Sequence, residues 1–500
     1  MASHATGRVP SASTPARAVS GVLLASCIST FVVNANTSAV SILLPAISED
    51  VGSSTTTLQW AVTGYSLVGA AVIVTGGVLG DIVGRRKVFV WALLLFVASC
   101  VLIALSENAA GIIGGRMIQG AAGSTLLACG LSLLSVSESG PAEVRAVSLW
   151  GAAAALGAAA GPLVGGALVD TTGWQGLFWI DAVIAALVIP LTLRTVAESR
   201  DQNRSHSIDI AGTLLVAAIL VPLVLALSKG TEWGWASGTT IICLLGSAVA
   251  AVAFVAVERR VPSPLVDLRL LRNAVLVGST LAILISAGVI NGLMFVMSLF
   301  FQDPAGFAMS PLQAGMATLP AIAGMVAIAP FVSGLATRYG SRQVMALGFV
   351  VTTAGFAALL FLTTDWGYGL FVLPLVAMAV GMGLSNGTAA AAATASVPEN
   401  EVGAASGISN MARYVGAAVM VAVAASLYAG GSAGDASAEG LATGFRYASV
   451  SLAIVSAAGI GLAVLAARHR PPRPRGVDYA AAAATTAHTV PTENPNRLPA

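Results

Sequence analysis

The chain has 500 residues, of which 56% are hydrophobic and only 9% are charged. Soluble globular proteins carry about 25% charged residues, so a chain this poor in charge cannot cover its surface in water and is expected to lie largely in lipid. The formal net charge of +2 says little by itself, whereas the distribution of the charges is informative, and we expect no nucleic-acid partner.

Apolar runs long enough to cross a bilayer, about 20 residues at 1.5 Å per residue, recur along the whole chain. We predict fourteen transmembrane helices, at residues 19–44, 58–80, 88–105, 110–136, 147–169, 178–193, 210–227, 239–257, 274–299, 311–335, 344–362, 369–391, 402–428 and 442–467. The predicted fold class is therefore an all-α polytopic membrane protein.

The basic residues provide a test of this count. With the N-terminus inside, all but four of the 24 lysines and arginines fall in cytoplasmic segments, the exceptions being Lys229, Arg446, Arg116 and Arg413. This distribution obeys the positive-inside rule, and an odd number of spans would scramble it. The Ala- and Gly-rich composition suggests a high-GC bacterium. We therefore predict a multi-pass protein of a bacterial inner membrane with both termini in the cytoplasm.

Polar stretches divide the chain into five parts. We predict a cytoplasmic N-terminal arm at 1–17, a six-helix half at 18–193, a linker with two extra transmembrane helices at 194–272, a second six-helix half at 273–467 and a disordered cytoplasmic tail at 468–500.

An internal sequence repeat supports the division into two related halves. The end of the second span, with Asp81 and Gly84, matches the end of the tenth span when Gly84 is aligned with Gly340, which places Asp81 on Thr337. Paired halves around a site near the membrane midplane are common in secondary transporters.

The loop after the second span is a candidate gate. Gly77 permits close helix approach and Gly84 a tight turn. Asp81 lies where the span ends, beside Arg85 and Arg86. A carboxylate there can pair with the arginines or with a helix N-terminus and so latch an inner gate. The alternative is a basic loop that only sets topology.

The fourth span carries a charged residue, Arg116. A charge at that depth costs at least about 2.5–3.5 kcal/mol on insertion scales, so Arg116 is expected to face a cavity or a partner. The alternative is an arginine that snorkels to the interface. Gln119, one turn further on, fits a polar and closely packed helix face.

The fifth span combines spaced glycines with a proline. Gly157, Gly161 and Gly165 recur every four residues on one helix face, which permits backbone contact with a neighbouring helix. Pro162 removes one helical hydrogen bond and bends the helix.

These motifs resemble signatures of the major facilitator superfamily. The loop from Gly77 resembles the superfamily signature between the second and third spans, the run Arg116-Met-Ile-Gln119-Gly120 its second signature, and the run from Gly157 to Gly166 the signature of its exporters. The runs beginning at Trp60 and Gly173 also resemble the fourteen-span drug:proton antiporter family.

The resemblance implies a major facilitator fold of six plus two plus six helices that exports drug-like molecules by alternating access in exchange for protons. It also implies that Arg116 takes part in proton coupling and that the kink at Pro162 serves export rather than import.

The chain departs from the family at one acidic position. Relatives typically carry an acid nine residues before a proline of the first span, where this chain has Asn36 before Pro45. An amide can hydrogen-bond a substrate but cannot carry a proton. The proton-coupling candidates, besides Arg116, are Asp181, where relatives usually have Asn, and Asp81. An alternative role for Asp181 is that of a cap at the interface.

Polar residues within the spans are candidates for the substrate cavity. These are Asn36, Gln119, Asn291, Asn386, Asn410 and Arg413. Arg413 is compatible with a neutral or anionic substrate, and its alternative role is helix packing. The scarcity of acids within the spans argues against substrates that must be fixed cations.

The sequence thus predicts a secondary exporter of hydrophobic small molecules, monomeric, with protons and the lipid bilayer as its other partners. It has no ATP-binding loop, no nucleophile beside a base and no metal-ligand spacing, so we expect neither an enzyme nor a cofactor. The alternatives are a dedicated exporter of one endogenous metabolite or antibiotic and, more remotely, a receptor or scaffold that does not transport.

Overall fold

The computed structural model describes residues 16–137, 141–200, 209–262, 264–361, 363, 366–398, 401–432, 435 and 437–465. Nearly all of the predicted arm at 1–17 and all of the predicted tail at 468–500 lie outside these residues.

Helices account for the regular structure of the described residues. They are α1 Ala16–Asp50, α2 Thr55–Val83, α3 Arg85–Ala104, α4 Ala109–Ser137, α5 Pro141–Thr172, α6 Gln175–Thr195, α7 Ile210–Trp233, α8 Gly238–Glu258, α9 Ala274–Gln302, α10 Pro311–Ala317, α11 Leu319–Tyr339, α12 Ser341–Leu359, α13 Gly369–Ala395, α14 Val402–Gly431 and α15 Ala438–Leu465. They provide 14 spans that are long and apolar enough to cross a membrane, which confirms the predicted number.

The tenth span differs from the uninterrupted run predicted at 311–335, because it is divided between α10 and α11. The break falls at Thr318, whose backbone N–H donates to the carbonyl of Gly315 at 3.1 Å. Pro320, at the start of α11, has no N–H with which to continue the α10 ladder. The two helices still form one crossing, Pro311–Val332.

The first six and the last six spans repeat the same packing. Helix α1 packs on α5 as α9 packs on α14, and α3 packs on α4 and α6 as α12 packs on α13 and α15. The halves meet along two seams, one between α2 and α14 and the other between α5 and α10. Each seam joins the second span of one half to the fifth of the other, as expected for a two-fold repeat.

The halves are tightly joined near one side of the bundle. We call the side where α1 begins and α15 ends the terminal face, and the other side the distal face. Near the distal face, the Ser298 hydroxyl of α9 donates to the carbonyl of Ser41 in α1 at 2.5 Å. Gly166 of α5 lies so close to α10 that an added Cβ would be 2.8 Å from the Leu312 nitrogen.

Helix α7 covers the α2–α14 seam and bonds to both sides of it. The hydroxyl of Thr213 in α7 lies 2.6 Å from that of Thr75 in α2. The hydroxyl of Thr231, also in α7, lies 2.9 Å from that of Ser426 in α14. Helix α7 is therefore part of the junction between the halves and not only a tether.

Helix α8 packs on α7 and presents an apolar face outward. Four residues on one side of α8 are among its most exposed, namely Ile242, Leu245, Val249 and Val252. Their exposure reaches 72% at Val252, and a continuous exposed face of this kind is suited to lipid contact.

Two glycines of α14 provide a test of the packing. An added Cβ at Gly416 would overlap the backbone carbonyl of Leu284 in α9, whereas at Gly403 it would meet nothing within 4 Å. We expect Gly416→Ala to lower the free energy of unfolding by about 1–3 kcal/mol through overpacking, and Gly403→Ala to leave it unchanged or slightly raised. Thermal unfolding of the two purified variants in detergent checks this, and equal stabilities contradict the close packing of α14 on α9.

Candidate functional site

Arg116 is enclosed in the N-terminal half, where its exposed fraction is 0%. Its Nε donates to the carbonyl of Ala61 in α2 at 3.1 Å. Its Nη1 donates to the side-chain oxygens of Asn36 and Gln119. The guanidinium carbon lies 4.3 Å from the centre of the Tyr65 ring, close enough for a cation–π interaction. Arg116 therefore has partners inside the bundle and does not snorkel to the interface.

Asn36 joins this arginine to Asp181. The Asn36 Nδ2 donates to Asp181 Oδ2 at 2.7 Å, and Asp181 itself is only 4% exposed. The carboxylate is thus buried beside the arginine and not at the interface, which was the alternative for this position. Arg116 Nη2 has no hydrogen-bond partner within the described residues, so the network keeps one donor free.

The network brings together side chains from most helices of the N-terminal half. Arg116 and Gln119 come from α4, Asn36 from α1, and Asp181 from α6. Gln119 Nε2 in turn contacts the sulfur of Cys100 in α3 at 3.0 Å. Such a network, buried in a low-dielectric interior, responds strongly to the gain or loss of one proton.

Two tyrosines extend the network to the other half. The rings of Tyr65 in α2 and Tyr414 in α14 lie 6.3 Å apart across the seam. Gly69 leaves space for the Tyr414 ring, because an added Cβ would lie 2.6 Å from one of its carbons. Neither tyrosine was predicted as a site residue, although Tyr65 lies in the run that begins at Trp60, because a single aromatic residue in an apolar span carries no distinctive signal.

The loop between α2 and α3 contains the expected ion pair. Arg85 Nη2 lies 2.8 Å from Asp81 Oδ1 and both side chains are 13% exposed. Gly84, between the helices, has a φ of +128°, which favours glycine. Gly77, on the neighbouring turn, lies against α4, where an added Cβ would be 3.7 Å from that of Ala128.

A second carboxylate in this loop region was missed. Glu198, which follows α6, accepts the backbone N–H of Arg86 at 3.1 Å, and an N-terminal N–H of a helix favours a negative partner. Arg86 Nη1 donates to the Val196 carbonyl at 3.2 Å, and the backbone N–H of Arg85 to the Ser199 carbonyl at 2.9 Å. The start of α3 is thus fastened to the chain beyond α6.

The matching loop of the second half keeps the turn but not the acid. Gly340, between α11 and α12, has a φ of +89°, in agreement with its alignment on Gly84. Thr337, at the position of Asp81, hydrogen-bonds the carbonyl of Gly334 in its own helix at 2.9 Å.

The glycines of α5 lie against α1. An added Cβ at Gly157 or Gly161 would overlap backbone oxygens of α1, and at Gly165 it would be 3.0 Å from the Cβ of Ala39. Pro162 lies inside α5. Its carbonyl faces α10, because a Cβ added at Gly315 of α10 would overlap the Pro162 oxygen. Helix α5 therefore contacts its own half through the glycines and the other half through the turn that contains Pro162.

The candidates in the second half do not form a comparable network. Asn291 and Asn410 each donate to a carbonyl of their own helix, at 2.8 and 3.0 Å. Asn386 and Arg413 are half-buried. Arg413 makes no hydrogen bond or ion pair with any described residue.

Sequence comparison places the chain among known proteins. Residues 26–421 match the family model of the Major Facilitator Superfamily. The chain is 31% identical to the tetracenomycin C resistance and export protein of Streptomyces glaucescens, over 82% of this chain and 77% of that protein. It is also 31% identical to the cephamycin export protein CmcT of Amycolatopsis lactamdurans, over 86% of this chain and 88% of that protein. It is 30% identical to the multidrug resistance protein Stp of Mycobacterium tuberculosis, over 81% of this chain and 75% of that protein.

Solved structures agree on the fold. A peptide transporter, POT, in complex with sulfate superposes with a TM-score of 0.66 at 15% identity, over 90% of this chain and 95% of that one. The nucleoside transporter NupG superposes with a TM-score of 0.59, also at 15% identity, over 89% of this chain and 99% of that one. The family model, the bacterial relatives and the shared fold together show that this multi-pass membrane protein belongs to the Major Facilitator Superfamily.

Proposed function

We propose that the protein is a secondary active exporter of drug-like or antibiotic molecules that works by proton antiport. The observation that carries the proposal is its similarity, along about four fifths of the chain, to relatives named for export or multidrug resistance. The absence of an ATP-binding loop from the sequence favours an ion gradient as the source of energy.

Asp181 is the proton carrier in this proposal. It is the acid of the Arg116 network, and it is held by Asn36, which occupies the position of the family's acid in α1. Protonation of Asp181 removes the negative charge next to the Asn36–Arg116 bond, so that the balance of charge within the N-terminal half changes with each proton. Compared with the family pattern, the acid and the amide have exchanged places within one contact.

The terminal face is the cytoplasmic side in this proposal. Arg85 and Arg86 lie there together with Arg194, Arg269 and Arg272, in accord with the positive-inside rule. The tight contacts near the distal face then correspond to a monomer that is closed toward the outside. The Asp81–Arg85 pair and the Glu198 contacts act as the inner latch.

Export of a single compound is the second candidate. Two of the relatives are named for one antibiotic each, tetracenomycin C and cephamycin. Such an exporter protects a cell against one compound and leaves its response to a broad panel unchanged.

The first test measures accumulation of fluorescent drugs in an efflux-deficient bacterium that expresses the protein, with and without an uncoupler. We expect accumulation to fall several-fold, and the effect to disappear with the uncoupler or with Arg116→Ala. Arg446→Ala, which removes a half-buried arginine paired with Glu439 at 2.9 Å, is the matched control and should export normally. Accumulation that falls equally in the presence of the uncoupler argues against gradient-driven export.

The second test exchanges the two residues of the buried contact. We expect Asp181→Asn to reduce substrate-driven proton movement in vesicles at least about 10-fold, because no carboxyl remains in the network. The double variant Asn36→Asp/Asp181→Asn should recover much of it, since the 2.7 Å contact lets the carboxyl sit on either helix. Asp50→Asn, a carboxylate that binds Trp174 at 2.8 Å outside the network, is the control.

The exchange also defines what would contradict the assignment. Full proton movement in Asp181→Asn removes Asp181 as the carrier. A double variant as inactive as Asp181→Asn shows that the position on α6, and not only the shared contact, is needed.

The third test concerns the inner latch. Glu198→Ala removes the side-chain acceptor of the Arg86 backbone N–H at the start of α3, so we expect trypsin to cut the purified protein after Arg85 and Arg86 several-fold faster. Glu439→Ala, at the start of α15, should leave this rate unchanged. An unaltered cleavage rate in Glu198→Ala would show that Glu198 does not hold the loop.

A further inference from the structure

We infer that Arg413 binds the acidic group of the transported compound, so that the substrates of this exporter are amphipathic organic acids. The inference deepens the proposed export function and rests on it. Four observations lead to it: the side of α14 on which Arg413 lies, the lack of a counter-charge, a nearby amide donor, and the position beside Tyr414.

Arg413 lies on the inner side of α14. Gly416 fits against α9 and Tyr414 against α2, while Ser426 bonds α7. With 3.6 residues per turn, Arg413 falls about 60° from Gly416, about 100° from Tyr414 and about 140° from Ser426. Arg413 is therefore directed between α9 and α2, away from α7, toward the space between the two halves.

Arg413 has no counter-charge of its own. In the described spans, acids other than Asp181 lie only near helix ends, and Asp181 is held by Asn36 in the opposite half. Arg116 satisfies its charge through several partners, whereas Arg413 makes no hydrogen bond or ion pair with a described residue. A half-buried arginine within a span is solvated only on its accessible part, so an anionic ligand is the partner that its chemistry favours.

The surroundings suit an apolar molecule with one acidic group. Asn410 lies on the same side of α14, about 60° away, and uses one amide N–H on the Ser406 carbonyl at 3.0 Å. Its second N–H remains as a donor for an oxygen acid. The same helix face carries Ala417, a small apolar residue that is buried next to the arginine and the amide.

The position of Arg413 in the chain also relates it to the Arg116 network. Arg413 precedes Tyr414, whose ring lies 6.3 Å from that of Tyr65, and Tyr65 lies under the Arg116 guanidinium at 4.3 Å. Arg413 is thus next in the chain to one of the two tyrosines whose rings connect α14 to the Arg116 guanidinium across the seam between the halves.

The test measures binding of three matched probes to the purified full chain in lipid nanodiscs, through their dansyl emission. The probes are a dansyl fatty acid, its neutral primary amide and the corresponding cationic dansyl alkylamine. We expect the acid to bind most tightly. Arg413→Gln should weaken binding of the acid on the order of 10- to 100-fold, as for loss of a charge-assisted hydrogen bond, and leave binding of the amide unchanged.

Two variants separate charge from packing. Arg413→Lys keeps the charge and should retain part of the preference for the acid, while Arg446→Gln, outside the site, should retain all of it. Unchanged binding of the amide shows that Arg413→Gln is folded. Equal affinity for acid and amide in the unmodified protein, no binding of the acid, or equal loss of both probes in Arg413→Gln overturns the inference. Acid binding through Arg413 without uncoupler-sensitive export would contradict the proposed function and leave the site intact.

Discussion

The fold of the N-terminal half depends on enclosing one positive charge. A guanidinium removed from water costs several kcal/mol unless its donors are satisfied, and Arg116 is fully enclosed. The surrounding helices must therefore bring oxygens and an aromatic face to fixed positions. Gly120, one turn from Arg116, reflects this demand, because an added Cβ would overlap the backbone of Tyr65 in α2. The polar network and the close helix packing are thus two aspects of the same constraint.

The two halves share a backbone plan but divide the charges unequally. The N-terminal half holds an arginine, an acid and an anchored loop, whereas the second half has Thr337 in place of the loop acid and, in Arg413, an arginine with no hydrogen-bond partner among the described residues. This division matters for energetics under the proposed exchange. One proton entering as one organic anion leaves moves two elementary charges, and each contributes about 2.3 kcal/mol per 100 mV. A neutral substrate would move one charge, and a monovalent cation none.

Much of the architecture could be predicted from the sequence because lipid imposes a simple rule. Length and hydropathy suffice for the number of spans, and the repeat of Gly84 at Gly340 could be recognised because a positive φ restricts residue choice. The break at Thr318 and the contact between Asn36 and Asp181, 145 residues apart, depend on tertiary packing. Glu198 was missed for a related reason, since nothing in its local sequence places it at the start of α3.

Helix α7 makes the two seams of the molecule unequal. The α2–α14 seam is covered by α7, whereas the equivalent α5–α10 seam has no such cover among the described helices. Among the described residues, α7 bonds α2 at Gln59 and Thr75 and bonds α14 at Ser426, so it closes this seam against the lipid from both sides. A hydrophobic molecule diffusing in the bilayer then has one lateral route to the junction of the halves, through the α5–α10 side.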